Sequence, residues 1–259
     1  MRIFALVLSV VAAPVFAHEL WIEPLDFEPD SRVVAHLVNG QEFEGTELIY
    51  MERSTARLEV HLFDQAQDIA MRLGDKPAVA VDPLGTGLHV LVYQSAPASL
   101  TYRDWQKFQD FSDHKDLAAT LEAHQAAGYP EDQFKEVYTR FSKSLVSVGS
   151  PDGADSYLGM EAELVALDNP YTSDEMSVQL LYQGEPLADT QVEVFAKTDE
   201  VEISLIRTDA TGVATLALEP GVTYMLDAVI LRTPDAALAA ETGAVYETLW
   251  ANLTFHVPE

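Results

Sequence analysis

The residues of this chain that are best suited to chemistry are its histidines, and one of them follows a predicted cleavage site. Residues 1–17, MRIFALVLSVVAAPVFA, combine an early arginine, an apolar stretch and small or modest side chains before Ala17, as in a cleavable signal peptide. Cleavage there would leave a mature chain that begins with His18. An amino-terminal histidine offers two metal ligands, a ring nitrogen and an α-amine whose pKa is about 8. The sequence therefore predicts a transition-metal site at His18, with Glu19 as a weaker candidate ligand.

Three further histidines lie in short stretches that alternate apolar and polar residues, as β-strands do: His36, His61 and His89. We expect the three to share the face opposite the purely apolar one, so that their imidazoles converge with His18 on one ion. Amine and imidazole ligands suit nickel, cobalt, copper and zinc. Which internal histidine completes the site stays open at this point. By contrast, His114 and His124 are expected at the surface, and His256 is expected to be structural.

The composition excludes several classes of function. The chain has 15 Lys and Arg against 42 Asp and Glu, a formal net charge of −27, so neither nucleic acid nor an anionic membrane is an expected partner. There is no cysteine, and therefore no disulfide or thiolate site. No apolar run after the signal approaches the ~20 residues of a membrane helix, so no direct membrane anchoring is expected. Catalytic motifs are missing as well, and we expect a protein that is not an enzyme.

The elements that must position these residues divide into two predicted units. Residues 18–148 are predicted to form an N-terminal β domain with a helical insertion at about 103–146. The insertion is interpreted as a helix from 113 to 127, ended by Gly128, and a second helix from 131 to 145. On that second helix, Arg140 and Lys143 are expected to form supporting salt bridges.

After a linker at 147–156, residues 157–259 are predicted to form an immunoglobulin-like or transthyretin-like β-sandwich. Apolar, β-branched runs separated by turn residues indicate its strands. These runs are 176–182, 191–195, 213–218, 222–231 and 249–257. The predicted fold class is therefore mainly β, with two β-sandwich-like domains.

Several segments also resemble a known family. They are Ala17–Pro24 (AHELWIEP), Tyr138–Leu145 (YTRFSKSL), Leu158–Tyr171 (LGMEAELVALDNPY), Gly184–Leu187 (GEPL), Thr208–Gly212 (TDATG) and Trp250–Phe255 (WANLTF). In this order they resemble a periplasmic family known as a domain of unknown function, whose members include NikK-type components of nickel and cobalt uptake systems. Relatives often carry a Gly-His pair after the early strand, where this chain has Asn39-Gly40-Gln41.

The resemblance implies an exported, β-rich periplasmic protein that supports transition-metal uptake, with His18 as a ligand. Nickel or cobalt is the favoured ion, copper and zinc are alternatives, and a membrane transporter component is a partner consistent with that role. A non-catalytic β-sandwich interaction module of the cell envelope is the alternative function. An oxidative copper enzyme that uses the same amino-terminal histidine is the least supported function.

Overall fold

The computed structural model describes residues 18–259, so the predicted signal peptide lies outside the described residues. The described chain is mainly β, and the predicted sandwich-type fold is confirmed. A large central sheet carries apolar side chains on both faces, because neighbouring residues of its strands enter different cores. For example, Val90 belongs to one buried cluster and Leu91 to another. One face of the central sheet is covered by a four-stranded sheet from the N-terminal part of the chain together with two helices. The other face is covered by a second four-stranded sheet.

The central sheet has nine strands, and both halves of the chain contribute to it. Eight of them follow the spatial order β14 (Val201–Arg207), β13 (Gln191–Lys197), β16 (Thr223–Arg232), β17 (Ala244–His256), β9 (Phe134–Val148), β7 (Gly87–Ser95), β4 (Thr55–Leu62) and β5 (Gln65–Asp68). The ninth strand, β8 (Ala98–Tyr102), pairs with the first residues of β9. All pairings are antiparallel except the central one between β17 and β9, which is parallel.

The N-terminal sheet consists of β1 (Glu19–Pro24), β2 (Val33–Gln41), β3 (Glu44–Leu48) and β6 (Val79–Val81). Although Asn-Gly is a common turn sequence, β2 continues through Asn39 and Gly40 to Gln41, and the chain reverses at Glu42 and Phe43, where φ is 52° and 60°. Gly40 is needed for a different reason. A Cβ there would lie 1.9 Å from the carbonyl oxygen of Glu44, so only glycine allows the two strands to approach.

The C-terminal sheet covers the other face of the central sheet. It consists of β10 (Ala162–Ala166), β11 (Glu175–Tyr182), β12 (Glu185–Pro186) and β15 (Val213–Ala217). Its apolar residues, such as Leu164 and Val178, pack with Leu226 and Leu253 of the central sheet in one buried cluster. The strands predicted for this half of the chain are thus present, but they are shared between two sheets.

Three α-helices occur in the described chain: α1 (Trp105–His114), α2 (Ala118–Ala127) and α3 (Ala236–Thr242), with a 3₁₀ turn at Glu52–Ser54. The predicted end of a helix at Gly128 is confirmed, since this glycine has φ 67°. The predicted beginning of this helix at residue 113 is wrong, because the helix that ends before Gly128 is α2 and begins at Ala118. A separate helix, α1, precedes it and is capped by the side chain of Asp104. Phe108 and Phe111 attach the helices to the central sheet beside Trp250.

The predicted helix from 131 to 145 is wrong, because this segment belongs to β9, the longest strand described. At helical spacing one stripe is formed by Phe134, Val137, Tyr138, Phe141 and Leu145, and this pattern indicates a helix. In the structure β9 lies between β7 and β17 and is covered on both faces, so both sets of its side chains are buried. A strand buried on both faces has no simple alternation, and its apolar residues then mimic other periods.

The boundary drawn from the sequence between 148 and 157 stays a prediction. The structure adds that β9, which precedes this boundary, pairs over ten residue positions with β17, which follows it. Any separation of the two units would therefore cut through the middle of the central sheet. Among the helices of residues 18–259, none is long and apolar enough to cross a membrane.

Candidate functional site

His18 lies directly before β1, at the place where the N-terminal sheet meets the central sheet. Its backbone carbonyl accepts hydrogen bonds from Nε and Nη2 of Arg140, at 3.1 and 2.7 Å. Its Nδ1 lies 3.5 Å from Nδ2 of Asn39 on β2. The first residue of the predicted mature chain is therefore held by a long side chain from the central sheet.

His18 opens onto an acidic cleft between the β2–β3 hairpin and the end of β13. The cleft has a volume of about 870 Å³. Besides His18, Lys197 is the one lysine or arginine that lines the cleft. Its lining also includes four carboxylates, those of Glu42, Glu44, Asp199 and Glu200. An acidic cleft raises the local concentration of cations around the His18 ring.

The other predicted ligand histidines lie apart from His18. His36 stands opposite Glu23 in the pairing of β1 with β2. A strand rises about 3.3 Å per residue, so this position lies about 16 Å from His18, whereas a metal–nitrogen bond measures about 2 Å. His36 Nε2 instead lies 3.7 Å from a carboxylate oxygen of Glu47.

His61 and His89 lie on opposite faces of the central sheet, so the expected shared face is wrong. His61 stands opposite Val90 in the pairing of β4 with β7, and adjacent residues of a strand point to opposite sides. The His61 ring lies 2.8 Å from Glu59. His89 is fully buried, with Nδ1 2.9 Å from the carbonyl of Gly87 and Nε2 accepting from the backbone N–H of Leu84. Burial lowers the pKa of His89, and both ring nitrogens are already engaged.

Of the two histidines of the helices, His114 lies at the surface as predicted, whereas His124 does not. His124 is fully buried among aromatic rings and lies 4.7 Å from the ring of Trp105, so its predicted surface position is wrong. His114 is half-exposed, but its Nε2 lies 2.8 Å from Oε1 of the buried Glu193. His114 therefore belongs to the edge of a larger charged group.

That group is a buried cluster of charges that joins four elements: Glu19 on β1, Lys115 after α1, Glu193 on β13 and Asp227 on β16. The Lys115 ammonium donates to Glu19 at 3.0 Å, to Asp227 at 3.2 Å and to Glu193. Among the described residues, Glu19, Glu193 and Asp227 form the one set of three or more His, Asp and Glu residues whose ligand atoms all lie within 4.8 Å. The Lys115 ammonium contacts all three carboxylates, and we name these four residues the Lys115 cluster.

Within the Lys115 cluster, the pKa values of the two carboxyls Asp227 and Glu193 shift in opposite directions. Burial raises the pKa of Asp227 to about 7, against the opposing effect of the Lys115 charge. Burial acts in the same direction on Glu193, but His114 and Lys115 outweigh it and lower the pKa of that carboxyl. Burial would lower the pKa of Lys115, yet the three carboxylates outweigh burial and raise it. The ammonium is therefore charged at neutral pH, while Asp227 exchanges its proton near pH 7.

Sequence reasoning found Glu19 but missed the rest of this cluster. The signal was a single charged residue inside an apolar strand, as in Val192-Glu193-Val194 and Leu226-Asp227-Ala228. Such a residue is buried only when it has a partner. Lys115 carried no such signal, because it follows a helix among other polar residues.

The two basic residues predicted to support the structure have different surroundings. Lys143 is fully buried and pairs with Asp155 at 2.6 Å and Glu163 at 3.0 Å, as predicted. The salt bridge predicted for Arg140 is wrong. The ion pairs of the described residues involve the arginines at 32, 57, 72, 207 and 232, but not Arg140. Arg140 instead places its guanidinium 4.3 Å from the ring centre of Tyr138.

The fold and these sites define a mainly β protein with an acidic cleft at its first described residue and buried charges behind it. A family model described as "Domain of unknown function (DUF4198)" matches residues 15–232, which is more than half of the chain. The chain therefore belongs to this family. The match ends at the last residue of β16, and β17 follows it. No curated protein matches the sequence significantly.

Proposed function

We propose that the protein is exported to the periplasm and binds a transition-metal ion or a small metal chelate, in support of metal uptake. The position of His18 carries the proposal, because this residue lines an acidic cleft while Arg140 holds its carbonyl. After cleavage at Ala17 the α-amine and the ring of His18 would supply two ligands. The internal histidines contact other groups, so cleft carboxylates are the candidates for the remaining ligands. Nickel or cobalt is proposed from the family resemblance, since these ligands also accept copper and zinc.

The α-amine makes the proposal testable through the way the protein is produced. One form is exported and begins at His18; the other is made in the cytoplasm and carries a methionine before His18. We expect the exported form to bind Ni²⁺ and Co²⁺ about tenfold or more tightly than the other, because the second form lacks the α-amine ligand. Isothermal titration at several pH values measures both affinities, and binding should weaken as the pH falls.

The matched variants are His18→Ala and His256→Ala, both in the exported form. His256 is half-buried and its Nδ1 lies 2.9 Å from Thr223 Oγ1, so this variant removes an imidazole from a different place. We expect only His18→Ala to lose the tight site. Equal affinities of the two forms, together with an unaffected His18→Ala variant, would contradict the proposal.

One observation favours the interaction module as a second candidate. Strand β14 is an edge of the central sheet, and it exposes Ile203 and Leu205 by 44% and 59%. Unpaired backbone beside exposed apolar side chains is suited to pairing with another chain. Ile203→Lys together with Leu205→Lys would abolish such an association without changing metal affinity.

A further inference from the structure

A cavity of about 330 Å³ lies between the N-terminal sheet and the central sheet, beside the acidic cleft. Its walls are mainly apolar and aromatic, and include Leu20, Leu37, Met51, Tyr93 and Tyr138. The volume is at the small end of the range of small-molecule sites, about 300–1,000 Å³. The cavity shares Asn39 with the acidic cleft, but its lining contains no carboxylate.

Arg140 is the one charged residue that lines this cavity. It is 8% exposed, and no carboxylate of the described chain pairs with it. A buried charge normally has a charged partner, because leaving water is costly. Burial raises the pKa of Glu136 and the Arg140 charge lowers it, but Glu136 accepts its hydrogen bonds from Tyr102 and Thr248 and forms no ion pair with Arg140. Arg140 therefore has no carboxylate in direct contact.

The surroundings of Arg140 leave part of its guanidinium free. Its Nε and Nη2 both donate to the carbonyl of His18, and Nη1 donates to no acceptor among residues 18–259. Tyr138 and Trp250 contact it through their rings, with centres 4.3 and 5.8 Å away. Rings and a carbonyl stabilise a cation but do not neutralise it. The guanidinium therefore lacks a direct carboxylate partner at the wall of this cavity.

We propose that this cavity binds a small organic acid, with one carboxylate on Arg140 and an apolar body between the two sheets. The carboxylate would accept a charge-assisted hydrogen bond from the guanidinium and supply the missing negative charge. Ser54, Thr55 and Ser95 line the same cavity and provide hydroxyl groups for orientation. This site adjoins the proposed metal site, since Asn39 lines both and Arg140 contacts His18, but its ligand has the opposite charge.

Three probes with the same apolar chain test the role of charge: octanoate, 1-octanol and octylamine. Each is titrated calorimetrically against the exported protein in the presence of EDTA, so that no metal contributes. We expect octanoate to bind about tenfold or more tightly than 1-octanol, since only octanoate pairs with Arg140. Octylamine should bind more weakly than either. Equal binding of octanoate and 1-octanol, or no octanoate binding by the folded protein at millimolar concentration, would overturn the proposal.

A cavity-filling variant locates the site. Ala98 lines the cavity and stands opposite Tyr138 in the pairing of β8 with β9, so Ala98→Leu fills part of the cavity. Its matched control is Ala127→Leu at the exposed end of α2. We expect Ala98→Leu to weaken octanoate binding about tenfold or more, while Ala127→Leu leaves it unchanged. An Arg140→Gln variant that folds should bind octanoate and 1-octanol equally. Unchanged octanoate affinity in Ala98→Leu would place the ligand elsewhere and reject the proposed cavity.

Discussion

Replacing Lys115 by methionine should destabilise the protein by about 3–5 kcal/mol, the usual cost of removing one partner from a buried ion pair. The Lys115 side chain is 4% exposed and contacts three carboxylates that are at most 3% exposed. Methionine has a similar volume and would fill the space beside Trp250. It would leave the negative charges of the cluster without their central cation. Urea unfolding at pH 7, followed by circular dichroism, measures the change.

Lys107→Met is the matched control, because Lys107 lies on α1, the helix that Lys115 follows, is partly exposed and forms no ion pair with a described residue. We expect its effect to stay within about 0.5 kcal/mol. A second substitution, Asp227→Asn, should recover part of the loss in Lys115→Met, since it removes one of the uncompensated carboxyls. If Lys115→Met does not fold, recovery of folding in the double variant gives the same answer. An effect no larger than that of Lys107→Met would show that the cluster contributes little.

Stability should fall as the pH rises from about 5 to about 8. Burial raises the pKa of Asp227 from 3.8 to about 7 and that of Glu136 from 4.5 to about 7. Between these values the folded protein binds more protons than the unfolded chain, so raising the pH favours unfolding. His114 acts in the same direction above its unfolded pKa of 6.5, because Glu193 raises its folded pKa. Burial lowers the pKa of His89 and of His256, which acts in the opposite direction below pH 6.5 and reduces the loss. The remaining combined loss is on the order of a few kcal/mol.

This pH profile has a specific origin that two variants test. Glu136 is fully buried and accepts hydrogen bonds from Tyr102, at 3.0 Å, and from Thr248. Glu136→Gln and Asp227→Asn should each flatten the profile, whereas Glu185→Gln, at an exposed position, should leave it unchanged. Urea unfolding at intervals between pH 5 and pH 8 provides the measurement. A wild-type free energy of unfolding that rises over this range would contradict the assignment.

The strands of the second half could be predicted because turn residues separate their apolar runs. Thr208 to Gly212 and Gln183-Gly184 both lie between strands in the structure. The assignment of β9 failed for a physical reason, since a strand buried on both faces shows no alternation. Sheet membership was also beyond the sequence, because the pairing of β9 with β17 depends on contacts between residues about a hundred positions apart.

The candidate site was only partly predictable. The sequence indicated His18 through the pattern of the signal peptide, and the structure places this residue beside an acidic cleft. The internal histidines do not converge, because His61 and His89 point to opposite faces of the central sheet and His36 belongs to the N-terminal sheet. The cavity at Arg140 was invisible to sequence reasoning, since its walls come from both sheets and no single segment carries its pattern.

The parallel pairing of β17 with β9 has a consequence for the order in which the chain can fold. Without β17 the central sheet consists of two separate parts, one ending at β16 and the other at β9. Strand β17 follows all other strands of the central sheet in the chain, and it must enter the middle of that sheet before the main core can close. Such long-range pairing slows folding. In an exported chain, as proposed here, this order would delay compaction until β17 has been made, which keeps the polypeptide competent for export.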